Sequence, residues 1–236
     1  MADLHLPIQL SSIQPQQQGF VLLTLISPMQ APDLAPFWFA DFRLDVHPEI
    51  EWRLFALQAQ VNGSQWQLLG QPNANLDWSA VRFLSAQAVT KWSEPNPEQP
   101  LLLVAEGLKI APILPLAKLR QKSQASTLVL LHSDAGFAFA IKPARFLVNT
   151  APPEAIGASA LLEDWKIANR LSSQNFIAGC AQMTAVEMLG YWLQAQSAQI
   201  GTAALANWQV RLAVSPQTAL SCQALLQNAG LAAKIY

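Results

Sequence analysis

The sequence predicts a small antiparallel β-barrel at the N-terminus, followed by a mostly parallel α/β domain at the C-terminus. Three observations carry this expectation. Residues 19–89 hold short apolar runs of strand length, separated by Pro, Asn, Gly and Gln. Residues 93–100, SEPNPEQP, place three prolines and two acids in one stretch, which reads as a linker. From residue 101 onward, strand-like and helix-like runs alternate, the pattern of a parallel sheet covered on both faces. The two domains are therefore expected at 1–95 and 96–236.

In the first domain, GFVLLTLIS (19–27) is a strong strand and FWFADFRLDV (37–46) alternates aromatic with small or polar residues. EWRLFALQAQV (51–61) and SQWQLLG (64–70) form a hairpin around Asn62-Gly63, a favourable turn dipeptide. AVRFLSAQAV (80–89) reads as another strand. In the second domain, LLLVAE (101–106), STLVLLHS (126–133), RFLVNT (145–150), NFIAG (175–179), WQVRLAVS (208–215) and the final LAAKIY read as strands. Helices are expected at 111–122, 159–171, 183–197 and 216–230, the last with Pro at its start and Gly at its end.

Composition limits what such a protein does. Of 236 residues, 52% are apolar and only 12% charged, about half the usual share. This implies a large core and a thinly charged surface, which suits a protein partner. Net charge is −1 and the densest basic run, Lys118–Lys122, reads as a solvated helix end, so nucleic acid is not expected as a partner. Two cysteines, Cys180 and Cys222, are too few for a metal cluster or a disulfide framework. MADLHLPIQL lacks the features of a signal peptide, and no apolar run approaches the roughly 20 residues of a membrane span. A cytoplasmic protein is the expectation.

Three short stretches could carry chemistry. The first is Ala105-Glu106-Gly107-Leu108-Lys109-Ile110-Ala111-Pro112, a strand end running into a helix. The second is Ala178-Gly179-Cys180-Ala181-Gln182-Met183, and the third Arg53-Leu54-Phe55-Ala56. In this order of parts they resemble motifs of the ferredoxin reductase superfamily: A-G-G-x-G-I-A-P, C-G-P-x-x-M and R-x-Y-[ST]. The character is closest to the electron-transfer subunits that partner dihydroorotate dehydrogenase. The resemblance implies a flavin-binding-like barrel and a nucleotide-binding-like α/β domain. Arg53 would hold the FAD pyrophosphate and Phe55 would flank the ring, while Ala56 has lost the motif's hydroxyl. Gly107, Lys109, Ile110, Ala111 and Pro112 would face NAD(P)H, and Gly179, Cys180 and Met183 would lie near the nicotinamide. In the place of the family's P-G-Q-F element, Pro36 matches, and Phe37 and Trp38 replace Gly and Gln. The cysteine-rich tail of the dihydroorotate-linked subunits is missing, so no iron–sulfur cluster is expected.

Each motif has drifted at the point of cofactor contact. Glu106 and Lys109 stand where glycines let a backbone approach phosphate, so the turn reads as kept in shape and eroded in function. Arg53 alternatively sits on an exposed strand face. Cys180 at a helix N-terminus could be a reactive thiol, or simply a small buried residue. His132-Ser133-Asp134 are adjacent rather than assembled, and His5, His47 and His132 have no ligand spacing. Glu163-Asp164 and Glu49/Glu51 read as solvated acids. Five tryptophans, Trp38, Trp52, Trp66, Trp78 and Trp92, crowd the first domain, either as core packing or as a binding face. No catalytic residue and no metal ligand is assigned. Three functions remain: a flavin/NAD(P)H electron-transfer protein with degenerate motifs, a non-catalytic descendant acting as a protein-interaction or scaffold module, or a protein whose barrel keeps a flavin while its nucleotide side is dead.

Overall fold

Period-two alternation builds the first sheet. The computed structural model describes residues 4–30, 38–72, 76–91 and 93–236. Strands β1 (Leu4–Pro7), β2 (Gln9–Pro15), β3 (Val21–Ser27), β4 (Trp38–Leu44), β5 (His47–Gln60), β6 (Gly63–Gly70) and β7 (Phe83–Lys91) form one antiparallel sheet in the order β1-β7-β4-β5-β6-β3-β2. The two edge strands are consecutive in the chain. Ile8 joins them and donates its N–H to the Arg82 carbonyl at 2.8 Å, so the sheet curls into a half-barrel. Inward positions are filled by Trp52, Trp66, Phe42, Leu23, Leu25 and Leu68, all fully buried. Trp66 keeps its indole N–H satisfied on Ser64 Oγ at 2.9 Å. Trp52 and Trp66 are thus core residues; the side chains of Trp38 and Trp92 lie outside the described residues.

The second sheet is built from β8 (Leu101–Glu106), β9 (Thr127–His132), β12 (Ala168–Ser173), β13 (Ala181–Gln182), β14 (Gln209–Ala213) and β15 (Ala233–Ile235), with β10 (Ile141–Pro143) and β11 (Gly157–Ser159) forming a separate antiparallel pair. Its order is β13-β12-β9-β8-β14-β15 and every neighbouring pair is parallel. Helices α1 (Ile110–Leu119), α2 (Ala160–Asp164), α3 (Ala185–Ile200), α4 (Thr202–Leu205) and α5 (Pro216–Asn228) complete it. Leu101, Leu103 and Ala105 of β8 pack beneath α1, while Leu102 and Val104 face Met188, Leu189 and Trp192 of α3 and Leu226 of α5. A strand apolar on both faces is what the LLLVAE run requires.

The proline-rich stretch between the sheets is pinned. Arg120, expected as a solvated helix end, is buried and donates to the carbonyls of Asn96 (2.8 Å) and Gln99 (2.7 Å). Asn96 and Gln209 exchange two further hydrogen bonds at 2.9 Å.

Several expected elements are corrected. The hairpin turns at Val61–Asn62, because Gln60 pairs with Gly63. The expected helix 159–171 ends at Asp164, and Lys166 takes a left-handed φ of 61°. Beyond it lies β12, whose polar sequence hides a buried strand. Its Asn169 accepts the Ser159 N–H at 2.6 Å, and its Arg170 donates to the Phe146 carbonyl at 2.5 Å. RFLVNT and NFIAG are loops: Leu147 (85% exposed) and Phe176 (88%) face solvent, while Val148 and Ile177 pack partly buried against the core. Strands β1 and β2 were not expected. Among the described residues, no helix is long and apolar enough to cross a membrane.

Gly70 marks how tightly the half-barrel is filled. A Cβ there would lie inside the Trp52 ring, and Trp52 is fully buried with nowhere to move. Gly70→Ala is expected to destabilise the protein by about 1–3 kcal/mol, read from urea unfolding.

Candidate functional site: the junction of the two sheets

The order of the five longer parallel strands, taken in chain sequence, is third-second-first-fourth-fifth, with β8 at the reversal. In open α/β sheets the crevice at the carboxyl ends of the two diverging strands receives the ligand. Here those strands are β8, ending at Glu106, and β14, followed by Ser215 at the N-cap of α5. Gly107 holds a φ of +57° and a Cβ there would meet open space, so the turn after β8 keeps its shape.

The two residues that replace glycines close this crevice. Glu106 Oε2 accepts the Ser215 N–H at 3.1 Å, placing a carboxylate at the positive end of α5. Lys109 Nζ donates to the Val214 carbonyl at 2.7 Å and to the Tyr236 carbonyl at 3.4 Å. Burial lowers the Lys109 pKa, with Arg53 pushing the same way and Asp41, Glu51 and Glu106 opposing. These five charged groups form one cluster linking the half-barrel to the β8 turn.

Arg53 is 5% exposed rather than on an open strand face. Nη1 donates to Asp41 Oδ1 and, at 3.1 Å, to the Ala40 carbonyl; Nη2 donates to Glu51 Oε1. The Asp41 and Glu51 side chains are 40% and 37% exposed, so two half-solvated carboxylates neutralise a buried guanidinium. Glu51, expected as a solvated acid, is an internal counter-ion. Asp41 was legible only as a polar position in an alternating strand.

Phe55 stands two residues on and packs against both the half-barrel and the α1 face of the second sheet. Ile110 and Ala111 are buried there too, Ala111 against Phe20 and Leu69. Pro112 is buried in the first turn of α1. Ala56 pairs with Gln67 after a bulge in β5. Beside Phe55 lies a cavity of about 90 Å³, well below the several hundred Å³ of an ordinary cofactor pocket. The structure therefore brings Arg53, Phe55, Gly107, Lys109, Ile110 and Ala111 to one junction.

Gly179, Cys180 and Met183 are placed elsewhere. They flank β13 at the far edge, beyond β12 and β9 from β8. Gly179 serves a backbone crossing: its φ is +87° and its carbonyl accepts the Gly157 N–H at 2.6 Å. Cys180 does not start a helix, since α3 begins five residues later behind the Thr184–Glu187 capping box. Burial pushes its thiol up to about 11, and Cys222 up to about 12. The segment at the reversal is Val214-Ser215-Pro216; a proline directly after the WQVRLAVS run was its signal.

The remaining polar groups are structural. Glu163, expected in solvent, is 2% exposed and accepts from Arg145 Nε at 3.1 Å. His132 Nδ1 lies 3.1 Å from Ser172 Oγ and Nε2 lies 3.5 Å from Asp134, with His132 and Ser172 both buried. Among the described residues, no group of three His, Cys, Asp or Glu could hold a metal ion. The segment 31–37, with Pro36 and Phe37, and residues 73–75 lie outside the described residues.

No family model matches this sequence, and no curated protein matches it. Solved structures do match. The ferredoxin reductase in carbazole 1,9a-dioxygenase is similar over 100% of this chain and 69% of its own, with a TM-score of 0.63 and 8% identity. A ferredoxin NADP+ reductase from Neisseria gonorrhoeae with bound FAD and NADP is similar over 99% and 98%, with a TM-score of 0.55 and 10% identity. The flavohem-like FAD/NAD binding domain of nitric oxide dioxygenase from Vibrio cholerae O1 biovar El Tor is similar over 98% of both chains, with a TM-score of 0.58 and 12% identity. The chain has the ferredoxin reductase-like fold.

Two outcomes are expected from this geometry. Asp41→Asn with Glu51→Gln keeps acceptor oxygens but leaves a buried cation without a counter-charge. It should cost about 2–4 kcal/mol in urea unfolding, less than a fully buried pair because both carboxylates are partly solvated. Iodoacetamide should alkylate Cys180 at pH 7 about 100-fold more slowly than an ordinary thiol, the rate rising about tenfold per pH unit. Because the unfolded chain releases these thiol protons near pH 9 and the folded chain only near 11–12, stability should fall as pH rises through that window.

Proposed function

We propose that this protein is a cofactor-free version of the ferredoxin reductase-like fold that works as a protein-binding subunit, with its two units meeting near residues 95–96. The observation that carries the reading is that both anion positions at the junction hold the chain's own carboxylates. Asp41 and Glu51 bond the two terminal nitrogens of Arg53, and Glu106 caps the positive end of α5. A flavin pyrophosphate at Arg53 would have to displace two bonded carboxylates, and it would feel their repulsion. The residues present therefore do not fit FAD or NAD(P)H, and no hydride-transfer step is assigned. Leu147, Phe176, Ile156 and Leu220, all strongly exposed, give a thinly charged surface apolar anchors for a partner in the cytoplasm.

A second reading, a flavin electron-transfer protein, is favoured by one observation: Arg53 and Phe55 stand two apart on one strand at the junction, as R-x-Y requires. Absorbance separates the two. The purified protein, incubated with excess FAD and desalted, should show no flavin bands. Retained bands that bleach with NADH or NADPH would establish the electron-transfer reading and overturn ours.

A further inference from the structure

We infer that the cavity between the two sheets binds an uncharged molecule built on a single aromatic ring. Its walls come from both sheets: Phe20 and Phe55 on the half-barrel side, Leu114, Phe137 and Phe139 on the other. Among the described residues no charged side chain lines it, so a phosphate, carboxylate or ammonium would enter without a partner at a high desolvation cost. Apolar cavities take up aromatic molecules. At about 90 Å³ the space is smaller than the roughly 150 Å³ of an engineered cavity that binds benzene, so it suits nothing larger than one ring. Phe137 and Phe139, 5.2 Å apart and tilted by 31°, offer a face and an edge to such a ring.

One polar side chain, Gln16, stands in the wall. Its Nε2 donates to the Gln14 carbonyl at 3.3 Å, which leaves the carboxamide oxygen to accept from a hydroxyl on the ligand. The site thus selects an apolar ring and tolerates one hydroxyl, chemistry opposite to that of a nucleotide. It does not rest on the absence of flavin at Arg53, whose charged partners lie outside the cavity wall. Because the ring would touch both sheets, its binding would stabilise the junction as a whole.

The test uses the full chain with toluene, phenol and benzoate as probes, read by thermal unfolding and by titration calorimetry. Toluene and phenol should bind saturably and raise the unfolding midpoint by about 3–6 °C at ten times the Kd. Benzoate should do neither. Ala138, which also lines the cavity, offers a plug: Ala138→Phe should abolish the toluene shift while the far-UV circular dichroism stays unchanged. Should that variant fail to fold, Leu114→Ala enlarges the space instead and should admit naphthalene, which the unaltered protein rejects. Absence of a saturable shift with toluene and phenol overturns the assignment, as does an equal shift in a folded Ala138→Phe protein. Benzoate binding as tight as phenol binding would remove the uncharged class.

Discussion

Two parallel strands that diverge from a common neighbour leave their carboxyl ends apart, and the amides of the following helix point into the gap. That gap favours an anion. In this chain the anion is covalently part of the protein: Glu106 reaches across from β8 to the Ser215 amide at the start of α5. Lys109 follows the same route to the Val214 carbonyl. The positions of α1 and α5 over the sheet, and the approach of the half-barrel to α1, follow from this closed reversal point. A glycine at 106 or 109 would keep the turn, since Gly107 alone supplies the left-handed residue, but would leave the crevice open.

The same logic recurs on the half-barrel. A buried guanidinium needs acceptors, and Asp41, Glu51 and the Ala40 carbonyl provide them for its two terminal nitrogens, while no described group bonds its Nε. Burial lowers the Lys109 pKa, and Arg53 adds to this from across the junction. The ferredoxin reductase-like fold is kept, while Arg53, Glu106 and Lys109 bond to groups of the chain itself. Fold and site are separable, and the structure separates them residue by residue.

Much of this was legible in the sequence. LLLVAE specified β8 to the residue because a doubly covered strand must be apolar throughout, and Pro216 specified the start of α5. The strand β12 was not legible, because Asn169 and Arg170 satisfy backbone groups in the interior and so look like surface residues. Residues 178–183, read as lying near the nicotinamide, flank β13 at the far edge of the sheet, while Ser215 stands at the reversal point. Arg120 and Glu163 were misjudged for the same reason, since charge in a sequence gives no sign of whether its partner is water or backbone. The cavity was invisible because its wall is drawn from distant segments, and only Phe55, Gly107 and Ile110 among them sat in motifs.

The crossing at Ile8 sets an order of events for the chain as it is made. β1 pairs with β7, Leu4 opposite Ala86, while β2 pairs with β3 at the opposite edge. β1 is made long before β7 and must therefore wait for it before it can be placed. Until then the half-barrel has an open seam with unpaired backbone, and loop closure over some eighty residues is slow by comparison with a local hairpin. β5 and β6, joined by a two-residue turn, are the natural first pair, and the seam at Ile8 the natural last step. During synthesis, that seam is where a misplaced strand from another chain would enter.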